Sequence, residues 1–562
     1  MELSQAKNTF NEVLERLFKK RNLSQNQLKE LLSWDLKSIP DLTQLIDLEK
    51  AAARIIIAIE RKEKIGIFGD YDVDGTTSCA LLHFFFKYLN VEVELIQPSR
   101  FIDGYGIHPP SIDLAKQKEI KVLITVDCGI TNCEAADYSK EQGIDLIITD
   151  HHQDAREKLP EAFAVVNPNR RDENCDEQLK SMAGVGVAFA LCVQIKKNYK
   201  EIPSLYPLLQ FVAIGTICDI ALLNPLNLKL VRHGLVQMGK SIFPGILSFF
   251  TPQERKEPIT EEKLGFYIGP LINSKGRLDH PEFSLNLLIS DDLEKAHHFR
   301  GHLENCNNER KRITSEVYKS AKSHVLKELD GEPLISVAYQ SDWHEGVIGI
   351  VASKLVDFFK VPAIVFTNTE DASIIKASAR SAGDLDLFEV LNTFSGYFEK
   401  FGGHKAAAGL SMKKDKYGEF KQKIKSLLRE IPEIQRTRQD YYDIEIFPEE
   451  ITPSLIKDLE KIGPFGRGNE NPIFKMSGVR LDSFDILKES HVRWNLSANS
   501  KYRFRGMSFN YIGKWMQKSP EEIFKLQKKE SLSIIFTLSL NRFNGNEYLQ
   551  LMVQKIVVGD LI

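Results

Sequence analysis

The chain has 562 residues, of which 43% are hydrophobic and 27% charged, and its formal net charge is −3 at pH 7. This length favours three or four domains, and this composition is typical of a water-soluble globular protein. The near-neutral charge argues against a surface that coats nucleic acid throughout, but it is compatible with a local basic groove. No apolar run approaches the roughly 18 residues of a membrane helix, and the first residues lack the apolar core of a signal peptide, so we expect a cytoplasmic protein with no membrane partner.

The predicted elements begin with helices. Apolar residues recur at helical spacing in FNEVLERLFKK, QNQLKELLS and IDLEKAAARIIIAIERKE, all within the first 64 residues. From residue 65 to about 225, short β-rich runs (IGIF, VEVELIQ, VLITVD, DLIITD, AFAVVN) alternate with helical stretches. This alternation predicts a mostly parallel sheet covered by helices.

Helices dominate again from about residue 226 to 330. The segment 290–329 contains no proline and is compatible with one long helix between two domains. A second α/β pattern follows from about 332 to 430, and residues 437–562 are rich in strands. In that last region the pair Asn544-Gly545 predicts a hairpin turn.

The stretch FGDYDVDGTTS, residues 68–78, carries Asp70, Asp72 and Asp74 at alternate positions directly after the apolar run IGIF. In an extended segment, alternate side chains point to the same face, so three carboxylates crowd together. Like charges disfavour ionisation. Such a cluster is expected where positive charge is bound.

Three further apolar runs end in polar residues: VLITVD in Asp127, DLIITDHH in Asp150, His151 and His152, and FVAIGTICD in Asp219. Because the carboxyl ends of parallel strands line one edge of a sheet, these runs predict one convergent site. Carboxylates with imidazole suit manganese, while Mg²⁺ prefers oxygen ligands. Five or six ligands suit two ions about 3.5–4 Å apart that share a carboxylate.

Other interpretations of these residues compete with a metal site. DYDVDG matches the start of an EF-hand loop, but the twelfth position is Leu81 instead of glutamate and a strand precedes it. An aspartate after a strand commonly caps a helix, so Asp74 also fits a capping role before SCALLHFFFKYL. Adjacent histidines on an extended segment point in opposite directions, which predicts different roles for His151 and His152. Cys128 and Cys218 adjoin site aspartates, and we expect them only to pack.

The four acidic motifs, GDYDVDGTTS, TVDCGIT, TDHH and GTICDI, resemble those of the DHH phosphoesterase superfamily. MAGVGVAFAL, LINSKGRLDH, SDWHEGVIGIVASKL, KASARS, FGGHKAAAGL and GPFGRGNENPIF are similar to the signatures of its RecJ family, over about residues 10–562. The resemblance implies a metal-dependent exonuclease that degrades single-stranded DNA from the 5′ end to nucleoside 5′-phosphates. It also implies a role in DNA repair and recombination and two bound Mn²⁺ or Mg²⁺ ions.

The resemblance implies roles for individual residues. One metal is held by Asp72 and Asp127, and the other by Asp74, Asp127, His151 and Asp219, with Asp127 as the bridge. Asp70 supports the first metal or positions water, and His152 contacts the scissile phosphate or stabilises charge in the transition state. Asp150 orients His151. Pyrophosphatase-like members have a histidine four residues before the first aspartate of the metal pair, whereas this chain has Phe68. That departure favours a nuclease, and it leaves the first metal weakly held or completed by Asp70.

The second half resembles a substrate clamp. The resemblance implies that Arg100, Arg277, Ser378 and Arg380 bind the 5′-terminal phosphate, with His344 and His404 also in the substrate site. Gly346, Gly349 and Gly402-Gly403 fit either glycine-rich, anion-binding helix starts or close packing.

The C-terminal strands resemble an OB-fold, in which aromatic residues stack bases and cations contact phosphates. In this chain the cations Arg493, Lys501, Arg503 and Arg505 are interleaved with the aromatics Trp494, Tyr502 and Phe504. Because strand positions alternate between two faces, about half of these aromatics are expected in the core.

The expected fold class is α/β, with a DHH-type mostly parallel sheet domain, a long bridging helix, a second (DHH-associated) α/β domain and a C-terminal OB-like β-barrel. The expected domains are a helical segment (1–60), the DHH catalytic domain (61–225), a helical connector (226–330), the DHH-associated domain (331–432) and the OB-like domain (433–562).

The sequence leaves two alternative functions open, and it also leads to expectations about partners. The chain could be a DHH phosphodiesterase that acts on short oligoribonucleotides or cyclic dinucleotides. A catalytically silent scaffold is less compatible with the sequence, because every motif acid is present. The expected partner is single-stranded DNA, bound by a monomer in the bacterial cytoplasm at the nucleoid, with a helicase and a single-strand-binding protein as partners by analogy.

Overall fold

The structure is a computed structural model that describes residues 11–98, 104–153, 158–199, 202–275, 282–329, 331, 333–512, 517–543 and 546–559. The chain divides into two compact units. The N-terminal unit comprises Ser24–Glu309 and Ile462–Glu470, and the C-terminal unit comprises Met1–Leu23, Arg310–Lys461 and Asn471–Ile562. Within the described ranges, no helix is both long and apolar enough to cross a membrane.

Helices and the first sheet occupy the first half of the chain. In chain order the elements are α1 (Glu12–Lys20), α2 (Gln25–Leu32), α3 (Leu48–Glu60), β1 (Ile65–Gly69), α4 (Val73–Tyr88), β2 (Val93–Ile96), α5 (Pro109–Gln117), β3 (Val122–Val126), α6 (Cys133–Glu141), β4 (Asp145–Thr149), β5 (Ala164–Val166), α7 (Gly184–Asn198), α8 (Leu209–Cys218), α9 (Pro225–Met238), α10 (Pro244–Leu247), α11 (Glu261–Lys263), α12 (Gly269–Lys275), α13 (Glu282–Ile289) and α14 (Leu293–Lys327).

Two further sheets and their helices follow. They are β6 (Ser336–Tyr339), α15 (Glu345–Phe359), β7 (Ala363–Asn368), β8 (Ile374–Arg380), α16 (Leu387–Asn392), β9 (Phe398–His404), β10 (Ala407–Lys413), α17 (Tyr417–Glu430), α18 (Glu433–Arg436), β11 (Ile444–Glu445), α19 (Pro453–Ile462), β12 (Phe474–Leu487), β13 (His491–Ala498), β14 (Tyr502–Ser508), α20 (Pro520–Leu526), β15 (Leu532–Phe543) and β16 (Asn546–Val558).

The first sheet is parallel throughout and has the strand order β2-β1-β3-β4-β5. Alternate residues of β1 enter two different cores: Ile67 packs with α3, α4 and α7, and Phe68 packs with α5 and α6. Helices therefore cover both faces, which explains why the strands read as continuous apolar runs. The strand order reverses between β1 and β3, so a crevice opens at their carboxyl ends. The predicted parallel sheet is confirmed.

The C-terminal unit contains the other two sheets. The second sheet has the order β6-β7-β8-β10-β9; β6 and β7 are parallel and the remaining pairs are antiparallel. The predicted long helix is confirmed as α14, whose 35 residues divide between the two units after Glu309. FGGHKAAAGL does not begin a helix: it spans the end of β9 and the start of β10, which pair as a hairpin. Burial alternates along β10, as expected of a strand.

The third sheet is a closed five-stranded barrel, as expected of an OB-like domain. Its strands pair in the order β12-β13-β14-β16-β15, and β12 also pairs with β15, which closes the barrel. Strands β15 and β16 are antiparallel partners, and the predicted turn Asn544-Gly545 between them lies outside the described residues. The barrel is thus built from local hairpins apart from the closing pairs.

Two ion pairs connect α1 and the residue after it with residues on either side of β11, in the C-terminal unit. Arg21 Nε lies 2.9 Å from Asp443 Oδ1, and Arg16 Nη2 lies 2.9 Å from Glu450 Oε2. The boundary between the two compact units after Leu23 falls within the segment 1–60, whose extent as an N-terminal helical segment stays a prediction. The other expected domain boundaries stay predictions.

Candidate active site

Three aspartates of the crevice directly follow neighbouring strands. Asp70 follows β1, Asp127 follows β3 and Asp150 follows β4, and each has at most 3% of its surface exposed. The backbone N–H of Asp127 donates to Thr149 O at 3.0 Å, and that of Asp150 donates to Val166 O at 3.0 Å. The ends of the strands therefore fix these residues side by side, as their positions in the sequence suggest.

Two more carboxylates cap helices that begin at the crevice. Asp72 is the N-cap of α4, and its Oδ1 accepts from the backbone N–H groups of Asp74 (2.8 Å) and Gly75 (3.1 Å). Asp74 accepts from Gly184 N at 2.6 Å and Val185 N at 3.0 Å, at the start of α7. The expected cap of α4 is therefore Asp72 and not Asp74, which lies in the first turn of α4 and accepts hydrogen bonds from the start of α7. The positive ends of two helices offset part of the negative charge.

Asp219 reaches the crevice from a helix and not from a strand. The run FVAIGTIC was expected to be a strand, but it forms α8, and Asp219 is the C-cap of that helix. The run is apolar on every side because α8 packs against α4, α7 and α9. A short run that is buried all round has no period that distinguishes a helix from a strand.

The two histidines contact different acids although their rings are neighbours. The ring centroids lie 4.5 Å apart, so the rings do not point to opposite faces as expected. His151 Nε2 lies 3.1 Å from Asp127 Oδ1 and 3.8 Å from Asp74 Oδ2. His152 Nδ1 lies 2.7 Å from Asp150 Oδ1, and its ring also contacts the Tyr105 hydroxyl at 3.0 Å.

Asp150 therefore orients His152 and not, as expected, the His151 ring. Its Oδ1 accepts from the backbone N–H groups of both histidines, and its Oδ2 accepts from Ile130 N at 2.9 Å. Burial alone raises the pKa of Asp150, but the hydrogen bond from His152 and the positive charge of that ring lower it to about 2. Asp150 is thus a fixed anion with its oxygens already occupied.

The pKa values of the two histidines move in opposite directions. Burial lowers the pKa of His151 to about 4, so this ring is neutral at neutral pH. Burial also opposes charge on His152, but its hydrogen bond with Asp150 outweighs that effect and raises the pKa to about 9. One ring is therefore suited to bind a metal and the other to carry a positive charge.

The remaining carboxylates are crowded in a buried space. Burial raises the pKa of Asp74 well above the usual aspartate value, with Asp219 adding to it, and burial together with Asp74 does the same for Asp127. Burial and then Asp72 raise the pKa of Asp219 to about 7, against the opposing charges of His152 and Arg467. The cluster holds more negative charge than its protein surroundings neutralise.

The backbone around Asp127 is shaped for close approach. Asp127 has φ +60°, a left-handed conformation that costs a non-glycine residue about 1–3 kcal/mol and is typical of functional sites. At Gly184 a Cβ would lie 2.7 Å from Asp127 Cβ, and at Gly215 a Cβ would lie 2.6 Å from Asp74 Oδ1. Glycine at both positions lets α7 and α8 contact the acidic cluster.

The donor atoms fit divalent metal ions. Three groups have ligand atoms within 4.8 Å of one another: Asp70, Asp72 and Asp127; Asp74, His151 and Asp219; and Asp127, His151 and His152. Asp127 Oδ1 and His151 Nε2 are buried, and neither has a hydrogen-bond partner among the described residues. Buried polar atoms without a partner are costly, and a cation between the groups would satisfy both.

Arg467, in the signature GPFGRGNENPIF, is a further basic residue whose charge acts on the crevice. The loop Ile462–Glu470 belongs to the N-terminal unit, where Arg467 O accepts from Leu223 N at 2.7 Å. Phe465 N donates to Glu261 at 2.8 Å, and Arg232 Nε donates to Gly463 O at 2.8 Å. These hydrogen bonds fix the loop beside α8 and α9.

This loop presents an unpaired cation near the acids. The Arg467 side chain is exposed and makes no hydrogen bond or ion pair with the described residues, yet its charge acts on Asp219. A basic side chain after a Pro-Phe-Gly turn is the signal that could have identified it.

The residues expected to bind the 5′-phosphate lie in the C-terminal unit where the structure describes them. His344 is the N-cap of α15 and accepts from Gly346 N at 3.1 Å. Arg380 donates to Ser378 Oγ at 3.0 Å, and a Cβ at Gly349 would lie 3.0 Å from both side chains. His404 is exposed on β9, in register with Ala407, which pairs in turn with Arg380. Arg100 and Arg277 lie outside the described residues.

The barrel face expected to stack bases is only partly available. Trp494 is fully buried and donates to Ser508 Oγ at 2.8 Å, and Phe504 is 8% exposed. Of the exposed cations, Arg493 lies 3.0 Å from Asp485 and Arg503 lies 3.8 Å from Asp482. Trp494 and Phe504 are therefore core residues, as the alternation of strand positions allows.

Comparison with known proteins agrees with this architecture. Three family models match: the DHH family, N-terminal domain over residues 64–216, the DHHA1 domain over 332–430 and the RecJ OB domain over 442–555. The single-stranded-DNA-specific exonuclease RecJ of Haemophilus influenzae is 32% identical over 568 residues, which cover 97% of this chain and 96% of the relative. The chain belongs to the RecJ family.

Solved structures of RecJ share the fold. RecJ from Thermus thermophilus in complex with Mn²⁺ is 24% identical, with a TM-score of 0.78 over 97% of this chain and 76% of that one. An exonuclease RecJ bound to manganese is 28% identical, with a TM-score of 0.59 over 70% of this chain and 97% of that one. The α/β sheet, the second α/β domain and the barrel are therefore family features.

We expect Gly215→Ala to weaken Mn²⁺ binding about 10- to 100-fold, since groups that orient metal ligands have effects of that size. The added Cβ would lie 2.6 Å from Asp74 Oδ1, and two backbone N–H groups prevent that carboxylate from moving. Isothermal titration with MnCl₂ measures the affinity, and circular dichroism checks folding. Gly301→Ala in α14 is the control, because no atom of the described residues beyond its chain neighbours and the adjacent backbone of α14 lies within 4 Å of its Cβ position. Equal Mn²⁺ affinity in the two variants would contradict this account of Gly215.

Proposed function

We propose that the chain is a divalent-metal-dependent exonuclease that degrades single-stranded DNA from the 5′ end to nucleoside 5′-phosphates. The observation that carries the proposal is the pair of ligand groups in the crevice, one containing Asp127 and the other containing His151. Asp127 Oδ1 and His151 Nε2 are buried and have no hydrogen-bond partner among the described residues. Family membership supports the substrate, since the relative from Haemophilus influenzae is named a single-stranded-DNA-specific exonuclease.

The proposed cofactors are two Mn²⁺ or Mg²⁺ ions. Asp72 and Asp127, supported by Asp70, would hold one ion, and Asp74, Asp127, His151 and Asp219 would hold the other. When bound, such ions activate water and neutralise charge on the phosphoryl group that is attacked in line. The manganese-bound exonuclease RecJ structure supports this assignment, as does the ligand spacing of the crevice.

The chain's own residues contribute position and charge. His152, positively charged because Asp150 raises its pKa to about 9, is proposed to donate to the scissile phosphate. The Tyr105 hydroxyl contacts the His152 ring and helps to hold that ring in position. No activated serine or cysteine is invoked, so no covalent enzyme intermediate is proposed. Phe68, buried in the sheet, offers no ligand at the position of the pyrophosphatase histidine.

The C-terminal unit is proposed to bind the 5′-terminal phosphate. Arg380 and Ser378 on β8 are hydrogen-bonded to each other and form the proposed anion-binding pair. His344, at the start of α15, and His404, on β9, belong to the same unit. Arg100 and Arg277 are proposed to complete this pocket. Bidentate pairing of arginine with phosphate is the physical reason for the 5′ preference.

The proposed setting is DNA repair and recombination in the bacterial cytoplasm, at the nucleoid. A monomer specific for single strands needs duplex DNA to be opened, so a helicase and a single-strand-binding protein are the proposed partners. The alternative, a phosphodiesterase of short oligoribonucleotides or cyclic dinucleotides, shares the acidic crevice, but the barrel and its match to the RecJ OB domain favour the exonuclease.

A digestion assay tests the proposal. With MnCl₂, we expect the protein to release mononucleotides from a 5′-phosphorylated 30-nucleotide single strand, and to leave the duplex of that sequence and a cyclic dinucleotide intact. Asp127→Ala should lower the rate by more than about 100-fold, because removing a shared ligand costs more than perturbing its neighbours. Hydrolysis of the dinucleotide alone would contradict the exonuclease, and an unchanged rate in Asp127→Ala would contradict the metal site.

Mn²⁺ affinity should rise about tenfold between pH 6 and pH 8. Metal ligands must be deprotonated. Asp219, with a pKa of about 7, is largely protonated at pH 6, so Mn²⁺ must displace its proton there. His151, with a pKa of about 4, is neutral throughout this range. Titration calorimetry at both pH values measures the affinity, and Asp219→Asn is expected to flatten the dependence. Equal affinities at the two pH values in the wild-type protein would contradict it.

Arg467→Ala should lower kcat about 10- to 100-fold, as expected for a charge-assisted hydrogen bond worth about 1.5–3 kcal/mol. We propose that this exposed guanidinium, which has no ion-pair partner among the described residues, contacts a substrate phosphate. Mn²⁺ affinity should be unchanged, and Arg467→Lys should restore part of kcat. Arg61→Ala, just before the amino-terminal end of β1, is the control. A parallel loss of Mn²⁺ affinity would show that Arg467 acts through Asp219 and not on substrate.

A further inference from the structure

The side chain of Gln97 contacts the loop of the first acidic motif, and none of the assignments above uses it. Gln97 is the first residue after β2, the strand that pairs with β1 through residues such as Ile96 and Phe68. Asp70, the first aspartate of the motif, directly follows β1. An amide side chain from the neighbouring strand therefore lies where the acidic loop leaves the sheet.

The Gln97 amide donates two hydrogen bonds there. Gln97 Nε2 donates to Asp70 O at 3.0 Å and to Thr76 Oγ1 at 3.1 Å. A flipped amide would place its oxygen against the carbonyl oxygen of Asp70, so these partners fix the orientation of the amide. Gln97 thus acts at this place as a double donor.

These two hydrogen bonds connect the positions of Asp70 and Asp72. Gly69 is the last residue of β1 in the ladder with β3, so the carbonyl of Asp70 needs a partner outside that ladder. Thr76, in the first turn of α4, donates its backbone N–H to Asp72 O at 3.0 Å. Gln97 therefore bridges the peptide group of Asp70 and the helical turn that holds Asp72.

Close packing surrounds the same carbonyl group. A Cβ at Gly75 would lie 2.4 Å from Asp70 O, and a Cβ at Gly69 would lie 2.2 Å from Cys79 Sγ. Helix α4 thus lies directly against the end of β1 and the loop that follows it. The carbonyl of Asp70 is enclosed by α4 and by the Gln97 amide.

The backbone of this loop determines where two carboxylates of the first ligand group lie. That group consists of Asp70, Asp72 and Asp127. Like charges at such short distances repel one another, and the repulsion acts to move the carboxylates apart. Hydrogen bonds to the backbone of the loop oppose that movement without neutralising the charge that a cation needs.

The end of β1 by itself restrains Asp70 less than the end of β3 restrains Asp127. The backbone N–H of Asp70 donates to Val126 O at 3.4 Å, whereas that of Asp127 donates to Thr149 O at 3.0 Å. Longer hydrogen bonds are weaker. The Gln97 amide therefore adds a restraint at the point where the ladder is weakest.

The amide also carries a cost at this position. Gln97 Oε1 is buried and has no hydrogen-bond partner among the described residues. A buried acceptor without a partner is unfavourable, and an apolar side chain of similar length would avoid it. The benefit of glutamine here must therefore come from its two donated hydrogen bonds.

We propose that Gln97 is a positioning residue that holds Asp70 and Asp72 in place for the metal ion assigned to the first ligand group. The proposal rests on the two-metal function above and names a residue that sets the affinity of one of its two sites. Gln97 makes no hydrogen bond with the ligand group around His151 in the part of the chain that the structure describes.

Gln97→Met tests the proposal, because methionine has nearly the length of glutamine and no N–H group. One of the two Mn²⁺ ions should bind about 10- to 100-fold more weakly, the usual effect of removing a group that orients a metal ligand, and the other should bind normally. Titration calorimetry with MnCl₂ measures the affinities, electron paramagnetic resonance counts the bound ions, and circular dichroism checks folding.

Gln210→Met is the matched control. Gln210 Nε2 also donates to a backbone carbonyl, Pro207 O at 3.0 Å, and it belongs to the same unit. It lies at the start of α8, roughly 14 Å along the helix from Asp219. Thr76→Val keeps the side-chain shape and removes one of the two acceptors of Gln97, so it should weaken the same ion by a smaller factor. It is a test that does not depend on the folding of Gln97→Met.

The metal dependence of digestion gives a second readout. In Gln97→Met, the Mn²⁺ concentration for half-maximal rate should rise by the factor found for the weakened ion, and saturating Mn²⁺ should restore kcat. The KM for the 5′-phosphorylated strand should stay unchanged. A defect in folding would instead lower kcat at every Mn²⁺ concentration.

Three results would overturn the proposal: unchanged affinity for both ions, an equal loss for both ions, or an equal loss in Gln210→Met. A raised KM at unchanged Mn²⁺ affinity belongs to the first of these, and it is expected if Gln97 acts through Arg100, three residues later in the sequence. If the wild-type protein binds two Mn²⁺ ions and does not degrade DNA, the exonuclease function fails, while the affinities still decide the role of Gln97.

Discussion

The N-terminal unit is organised around mutual repulsion among buried carboxylates. Asp70, Asp74 and Asp127 are buried and Asp72 and Asp219 lie half-buried beside them. Burial raises the pKa of Asp74, Asp127 and Asp219. The start of α4, the start of α7 and the charged His152 each reduce that repulsion without removing it. The fold thus stores an unfavourable electrostatic arrangement that bound cations would relieve.

Much of this site could be predicted from sequence because three of its parts follow strands. Buried parallel strands read as continuous apolar runs, and a polar residue at the end of such a run must lie at the carboxyl edge. Asp70, Asp127 and Asp150 were placed by that rule alone. The rule failed for Asp219, since α8 is apolar on all sides and its sequence carries no helical period.

Other features depended on tertiary packing and could not be read from the chain. Asp150 was expected to orient His151, but the turn after β4 directs its Oδ1 to the ring of His152. Trp494 and Phe504 matched a base-stacking pattern, yet strand alternation turns both into the barrel core. FGGHKAAAGL was expected to begin a helix, but it forms a hairpin in which Gly402 and Gly403 belong to β9. Glycine occurs in strands as well as at helix starts, so these two residues alone do not distinguish the two structures.

The loop Ile462–Glu470 makes the N-terminal unit discontinuous in sequence. It follows α19 of the C-terminal region, yet its hydrogen bonds go to Leu223, Arg232 and Glu261. A polypeptide of residues 24–309 alone would lack this loop and leave Leu222 and Leu223 uncovered, since Gly466 and Gly468 pack on them. Cleavage of the backbone between 310 and 461 would leave a unit assembled from two separate pieces, held together by noncovalent complementation.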